Sequence, residues 1–223
     1  MDIDTLFKIF KKQGYVSFDL GSFFPELTEY SDRFYEICDE NWSWIIKNKQ
    51  GENDFYPKQH PLSLIEKEKR AALSDYTNGL FSFSFRRIVD DHIGNSVIDF
   101  FKIKEIVNSK IFIGFLEKIT GMEVKESTVI YLNRFDYGDF LTTHSDPGQK
   151  FGIVINFTKK WHMEYGGLTM ILDHDCKYII DTLTPYNMSV LVFDTCTKQI
   201  PHFVSMVTVK TPYKRIALVV RYD

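Results

Sequence analysis

Hydrophobic and polar positions alternate along this chain in two different rhythms. Leu6, Phe7 and Phe10 share one face of a helix predicted over residues 3–12, with Gly14 as its stop. Residues 14–18 then read as a short strand. Pro25 suits the first turn of a helix, and Leu27, Tyr30, Phe34, Ile37 and Trp44 extend a helical spacing toward residue 47. Residues 49–60 read as irregular, Ser63 to Leu73 as a helix, and Phe81 to Arg86 as a strictly alternating strand. Two more helical stretches follow, over 95–106 and 108–119.

From residue 126 the period becomes two. Candidate strands fall at 126–135, 139–144, 150–157, 167–173, 176–181, 188–194, 201–209 and 214–222, separated by turn signals such as Tyr137-Gly138, Gly166-Gly167 and Thr211-Pro212. This regular spacing predicts a mostly β fold with flanking helices. The expected arrangement is a jelly-roll (double-stranded β-helix) core over 126–223 under a helix-rich cover formed by 1–125, all in one domain.

Composition narrows the class. The chain has 223 residues, 44% hydrophobic and 26% charged, with aromatics at 16%, a net charge of −3 and a pI near 6.1. That balance carries no basic footprint for nucleic acid. No stretch reaches the roughly 18 apolar residues of a membrane span, and the acidic start Met1-Asp2-Ile3-Asp4 is unlike a secretory signal, so the expectation is cytoplasmic. Cys38, Cys176 and Cys196 lack Cys-x-x-Cys spacing and read as reduced, partly buried thiols.

Among the six histidines (His60, His92, His144, His162, His174 and His202), His144 is singled out by the run His144-Ser145-Asp146 at a strand–turn junction. In extended backbone, residues i and i+2 face the same way, so this imidazole and this carboxylate can converge on one ion. A third ligand must come from elsewhere. His202 opens the seventh strand, which neighbours the second in a jelly roll. Two His and one carboxylate on one face suit non-haem iron(II) and leave three positions open. His174, between Asp173 and Asp175, also looks like a metal motif but sits in a polar turn. Arg215 begins the last strand, and a buried arginine there needs an anionic partner. Arg86, Arg87 and His60 are left without assigned roles, although either arginine suits a substrate carboxylate.

The run from Tyr131 to Asp146, then Asn156-Phe157-Thr158-Lys159-Lys160-Trp161, Glu164-Tyr165-Gly166-Gly167, and Pro201-His202-Phe203-Val204 followed by Arg215, resembles the prolyl 4-hydroxylase-like iron(II)/2-oxoglutarate oxygenases. The resemblance covers about residues 126–223. It implies iron(II) on His144, Asp146 and His202, and 2-oxoglutarate as co-substrate with its distal carboxylate on Arg215 and Asn156 beside it. Arg221 is the fallback if the turn before Arg215 is not extended. Phe135 stands where many members have tyrosine. The resemblance also implies dioxygen as reactant, ascorbate as an auxiliary reductant, and hydroxylation of an unactivated C–H bond in a small-molecule or peptide substrate of amino-acid type, with release of succinate and CO2. The alternative is a non-catalytic metal-binding jelly roll serving as a sensor or binding module.

Overall fold

The computed structural model describes residues 1–91 and 93–223; His92, one of the six histidines, lies outside the described residues. The helix α1 (Ile3–Gln13) is amphipathic, buries Leu6 and Phe10, is capped by the Asp2 side chain and ends at Gly14. The strand β1 (Tyr15–Asp19) follows. Only the short helix α2 (Tyr30–Glu36) forms where a helix to residue 47 was expected. The chain turns at Ile37, and Trp44-Ile45-Ile46 lie in β2 (Ser43–Asn48), which pairs with β3 (Gly51–Phe55) in the stretch read as irregular. Bulky and β-branched residues at successive positions fit a strand covered on both faces, and the sheet overrides their helical spacing. Then come α3 (Leu62–Thr77), β4 (Phe83–Val89), α4 (Ile98–Val107) and α5 (Lys110–Thr120).

All eight expected strands of the second half form. They are β5 (Ser127–Phe135), β6 (Phe140–His144), β7 (Phe151–Asn156), β8 (Thr169–Leu172), β9 (Ile179–Leu183), β10 (Ser189–Asp194), β11 (His202–Val204) and β12 (Arg215–Tyr222). The strand expected over 201–209 stops at Val204, and residues 205–214 are irregular, so the longer turn expected before Arg215 is there. The three thiols are free and exposed, more open to solvent than the expected partial burial.

The strands curl into one antiparallel sheet in the order β1-β10-β7-β12-β5-β4-β6-β11-β8-β9, with β2 and β3 added beside β4. The strand β4 is the corner. Its C-terminal half pairs with β5 and its N-terminal half with β6, which folds the sheet back on itself. Tyr15 of β1 reaches Asp181 of β9, 3.3 Å away, where the two ends of the strand order approach. One face of the larger layer packs under α1, α2, α4 and α5 through Leu6, Phe34, Phe112, Ile153, Ile216 and Leu218, all fully buried. Each such side chain contributes roughly 1.5–3 kcal/mol of transfer free energy. The other face of β12 and β5 looks into the barrel, and the site lies there. No helix among the described residues is long and apolar enough to cross a membrane.

Candidate metal centre and its cavity

His144 is the last residue of β6 and His202 the first of β11. They stand directly opposite one another in the ladder, with ring centroids 4.3 Å apart. Asp146 follows two residues after His144, beyond the end of the strand, and its carboxylate turns back between the rings. Its oxygens lie 3.9 Å from His144 Nε2 and 3.7 Å from His202 Nε2. One ligand atom from each of the three residues lies within 4.8 Å of the other two, close enough for a single ion to touch all three.

The backbone fixes which ring nitrogen faces that point. His144 Nδ1 is 3.0 Å from the Thr142 carbonyl and His202 Nδ1 is 2.9 Å from the Ile200 carbonyl. A carbonyl oxygen only accepts, so each Nδ1 carries the proton and each Nε2 presents a lone pair inward. Burial lowers the pKa of both rings; His202, also beside His144, falls to about 4. Both are therefore neutral near pH 7, the form that binds metal. Burial pushes Asp146 up, but the Arg221 guanidinium and the two imidazoles outweigh it and hold the carboxyl below its usual range.

Arg221 has a role for which the sequence reading made no proposal. The longer turn before Arg215 is present, so the fallback to Arg221 is not called on; its guanidinium donates to Asp146 instead. It lies over the Phe193 ring, and Phe193 packs in turn on His202, centroids 5.2 Å apart. Gly152 opens the slot, since a Cβ there would stand 2.8 Å from both Arg221 Nη1 and the Phe193 ring. The signal was available: Arg215, Ala217, Val219 and Arg221 alternate on one face of β12.

Arg215 lies deeper in the same cavity, 1% exposed, with its guanidinium over the Phe135 ring at 4.6 Å. Nη2 donates to Thr169 Oγ1 at 3.2 Å, while Nε and Nη1 are buried without a partner. Burial alone lowers its pKa to about 9. Gly167 gives the side chain room: its φ is +64°, and a Cβ would come within 3.0 Å of Arg215 Cδ. Phe85, Leu141 and Val204 supply apolar wall. Tyr131 and Asn133 also line the cavity and were missed in the sequence. Asn133 is 7% exposed, and its carbonyl oxygen is buried without a partner. Asn156 does not line this cavity; its amide nitrogen donates to Ser189 on β10.

The remaining histidines lie apart. His174 is almost fully exposed beside Asp175, and His162 sits in an exposed turn. His60 Nδ1 accepts from the Tyr56 backbone, which closes its own turn. Arg86 faces the opposite side of β4 from Arg87, stacked on Trp44 and paired with Asp39.

The sequence matches no family model and no curated protein. Solved structures do match. A 2OG-Fe(II) oxygenase family oxidoreductase from Burkholderia pseudomallei aligns with a TM-score of 0.63 at 13% identity, over 100% of this chain and 90% of that one. A Pseudomonas putida prolyl-4-hydroxylase aligns at 0.56 with 10% identity, over 100% and 98%. The non-heme alpha-ketoglutarate-dependent epimerase SnoN from nogalamycin biosynthesis aligns at 0.58 with 11% identity, over 99% and 82%. The chain has the double-stranded β-helix fold of the 2-oxoglutarate/iron(II) oxygenases.

Proposed function

We propose that this protein is an iron(II)- and 2-oxoglutarate-dependent oxygenase, with His144, Asp146 and His202 as the metal ligands and Arg215 as the anchor of the co-substrate. One observation carries the reading. A convergent His-Asp-His group opens, through His144 and His202, on a cavity that also holds a buried guanidinium with two unpartnered nitrogens. A metal site alone gives no reason to bury an arginine without its anion, which argues against a non-catalytic metal-binding module. The residues present fit an iron(II) ion and a dicarboxylate: two neutral imidazoles and a carboxylate suit iron(II), and a cation ending in a donor fork suits a carboxylate.

The chain's own residues set geometry and exclude water. The backbone carbonyls of Thr142 and Ile200 fix the two imidazole tautomers, and Arg221 fixes the carboxylate. Arg215 and Thr169 would hold the distal end of the diacid, and Phe85, Phe135 and Leu141 keep the space between dry. Phe135 offers no hydroxyl where a tyrosine is common in the resembled family; Thr169 and Asn133 are the neighbouring polar groups that can take its place. The Asn156 assignment is replaced by Asn133, which faces the cavity. Bound here, iron(II) with 2-oxoglutarate and dioxygen would supply the oxidation of an unactivated C–H bond to an alcohol, releasing succinate and CO2, with ascorbate as an auxiliary reductant outside that balance. The proposed substrate is of amino-acid type: a free amino acid, a peptidyl proline or an amino-acid unit of a natural product. The matched prolyl-4-hydroxylase agrees with that range.

Succinate release from 2-oxoglutarate in the presence of iron(II) tests the reading. Turnover that disappears in Asp146→Ala supports it. Full turnover in His202→Ala overturns it.

A further inference from the structure

The cavity does not end at the metal centre. Phe85 lines it, and Arg87, two residues further along β4, faces the same way. Arg87 sits opposite Asn133 in the β4–β5 ladder, and Val89 sits opposite Tyr131. Beyond Tyr131 a groove runs outward between Arg87, Val89 and Val129, and Tyr131 is a wall of both the groove and the metal cavity. Among the described residues, the groove thus offers Val89, Val129 and Tyr131 as apolar surface, Arg87 as its one cation and Asp90, Ser127 and Thr128 as polar rim, and only the Tyr131 side chain stands between it and the metal cavity.

Arg87 is held for a purpose that its ion pair does not exhaust. Its Nε donates to Asp54 Oδ1 at 2.9 Å and its Nη2 to Oδ2, a two-point grip from β3. Ser43 Oγ, 3.3 Å from Asp54 and 3.1 Å from the Arg87 carbonyl, braces both partners. This uses one edge of the guanidinium. The Nη1 end makes no hydrogen bond among the described residues, and the side chain keeps 21% of its surface exposed. A guanidinium fixed on one edge loses little entropy when a second carboxylate binds the other. Arg86, next in sequence, has no such role, being spent on Asp39 and Trp44 across the sheet.

The charges around the groove suit a zwitterion. The free edge of Arg87 offers hydrogen-bond donors to one carboxylate, while the acids beside it, Asp54 on Arg87, Asp90 with its Lys104 partner and Glu52 near Tyr131, favour an ammonium next to that carboxylate and disfavour a dianion.

We propose that Arg87, oriented by Asp54, receives the free carboxylate of the primary substrate, so that the substrate is a small carboxylic acid such as a free α-amino acid or a peptide C-terminus, with its apolar part lying over Val89, Val129 and Tyr131 toward the metal centre. This deepens the oxygenase reading and rests on it. It narrows the substrate range by excluding a residue internal to a polypeptide.

The test uses the full-length protein with iron(II), 2-oxoglutarate and air, reading succinate. The probes are the apolar and aromatic L-amino acids and glycyl dipeptides ending in them, each as the acid and as the primary amide. The expected result is that at least one acid stimulates succinate release and that its amide needs a concentration on the order of 30-fold higher or more. In Arg87→Gln the KM for that acid rises by a similar factor while the KM for 2-oxoglutarate moves less than about twofold, and Arg87→Lys falls between. A structural role alone would shift both constants together. Equal stimulation by acid and amide, or none by any acid in a protein that does release succinate, overturns the proposal and leaves the oxygenase reading standing. Absence of succinate release under every condition removes both.

Discussion

Arg221 donates to the carboxylate of Asp146 from across the barrel, β12 to the end of β6, while its guanidinium lies over Phe193. The contact orients the one charged member of the His-Asp-His group. It depends on Gly152, because no other residue leaves room for Arg221 and Phe193 together.

Gly152→Val should therefore loosen metal binding without touching a ligand. Displacing the partner of a ligating carboxylate is expected to cost about 10–100-fold in affinity. Titration of the variant with cobalt(II), followed by absorption, reads the change. An affinity equal to that of the natural protein would show that Arg221 is not needed to position Asp146.

Arg215→Met should stabilise the protein alone and weaken its response to 2-oxoglutarate. The guanidinium is buried with two nitrogens unpartnered, and methionine fills similar volume without that penalty. An increase of about 1–3 kcal/mol in unfolding free energy is expected without co-substrate. The natural protein, and not the variant, should gain stability when 2-oxoglutarate is added. Thermal denaturation with and without 2-oxoglutarate checks both halves.

Asp139 gives a pH signature in the opposite direction to an ordinary surface carboxylate. It is fully buried, accepting from Lys69 at 2.9 Å and from the Asp136 backbone, and burial raises its pKa to about 6 despite Lys69. Between the unfolded value near 4 and about 6 the native state binds the extra proton, so this group's contribution to stability falls as pH rises through that window. Asp139→Asn has no such dependence. Its stability relative to the natural protein should therefore improve from pH 4 to pH 7 by roughly 2–3 kcal/mol. Urea denaturation across that range measures the difference; a variant whose stability relative to the natural protein stays constant or falls from pH 4 to pH 7 would contradict the assignment.

The strands after residue 126 were legible as short apolar runs bounded by turn signals; β7 keeps a partial alternation, while β10 and β12 are buried on both faces along nearly their whole length. The stretch from Leu27 to Trp44 misled because its apolar residues also fit a helix, and nothing local marks the turn at Ile37 that sends Trp44 into β2. The meeting of His144, Asp146 and His202 was legible from two-residue spacing and strand adjacency. The Arg215–Thr169 and Arg221–Asp146 contacts were not, because each joins residues far apart in sequence, and nothing local marks Asn133 as facing the cavity. Arg215 was legible as a buried cation at the head of a hydrophobic strand. Asn156 was placed by resemblance, and the curl of the sheet carries it toward Ser189 instead.

The most direct test of the central claim is an anaerobic absorption titration of the protein with iron(II) in the presence of 2-oxoglutarate. The account expects a weak metal-to-ligand charge-transfer band that saturates at one equivalent of iron, vanishes in Asp146→Ala and requires higher 2-oxoglutarate in Arg215→Met. A folded protein that shows no such band at saturating iron and 2-oxoglutarate would contradict it.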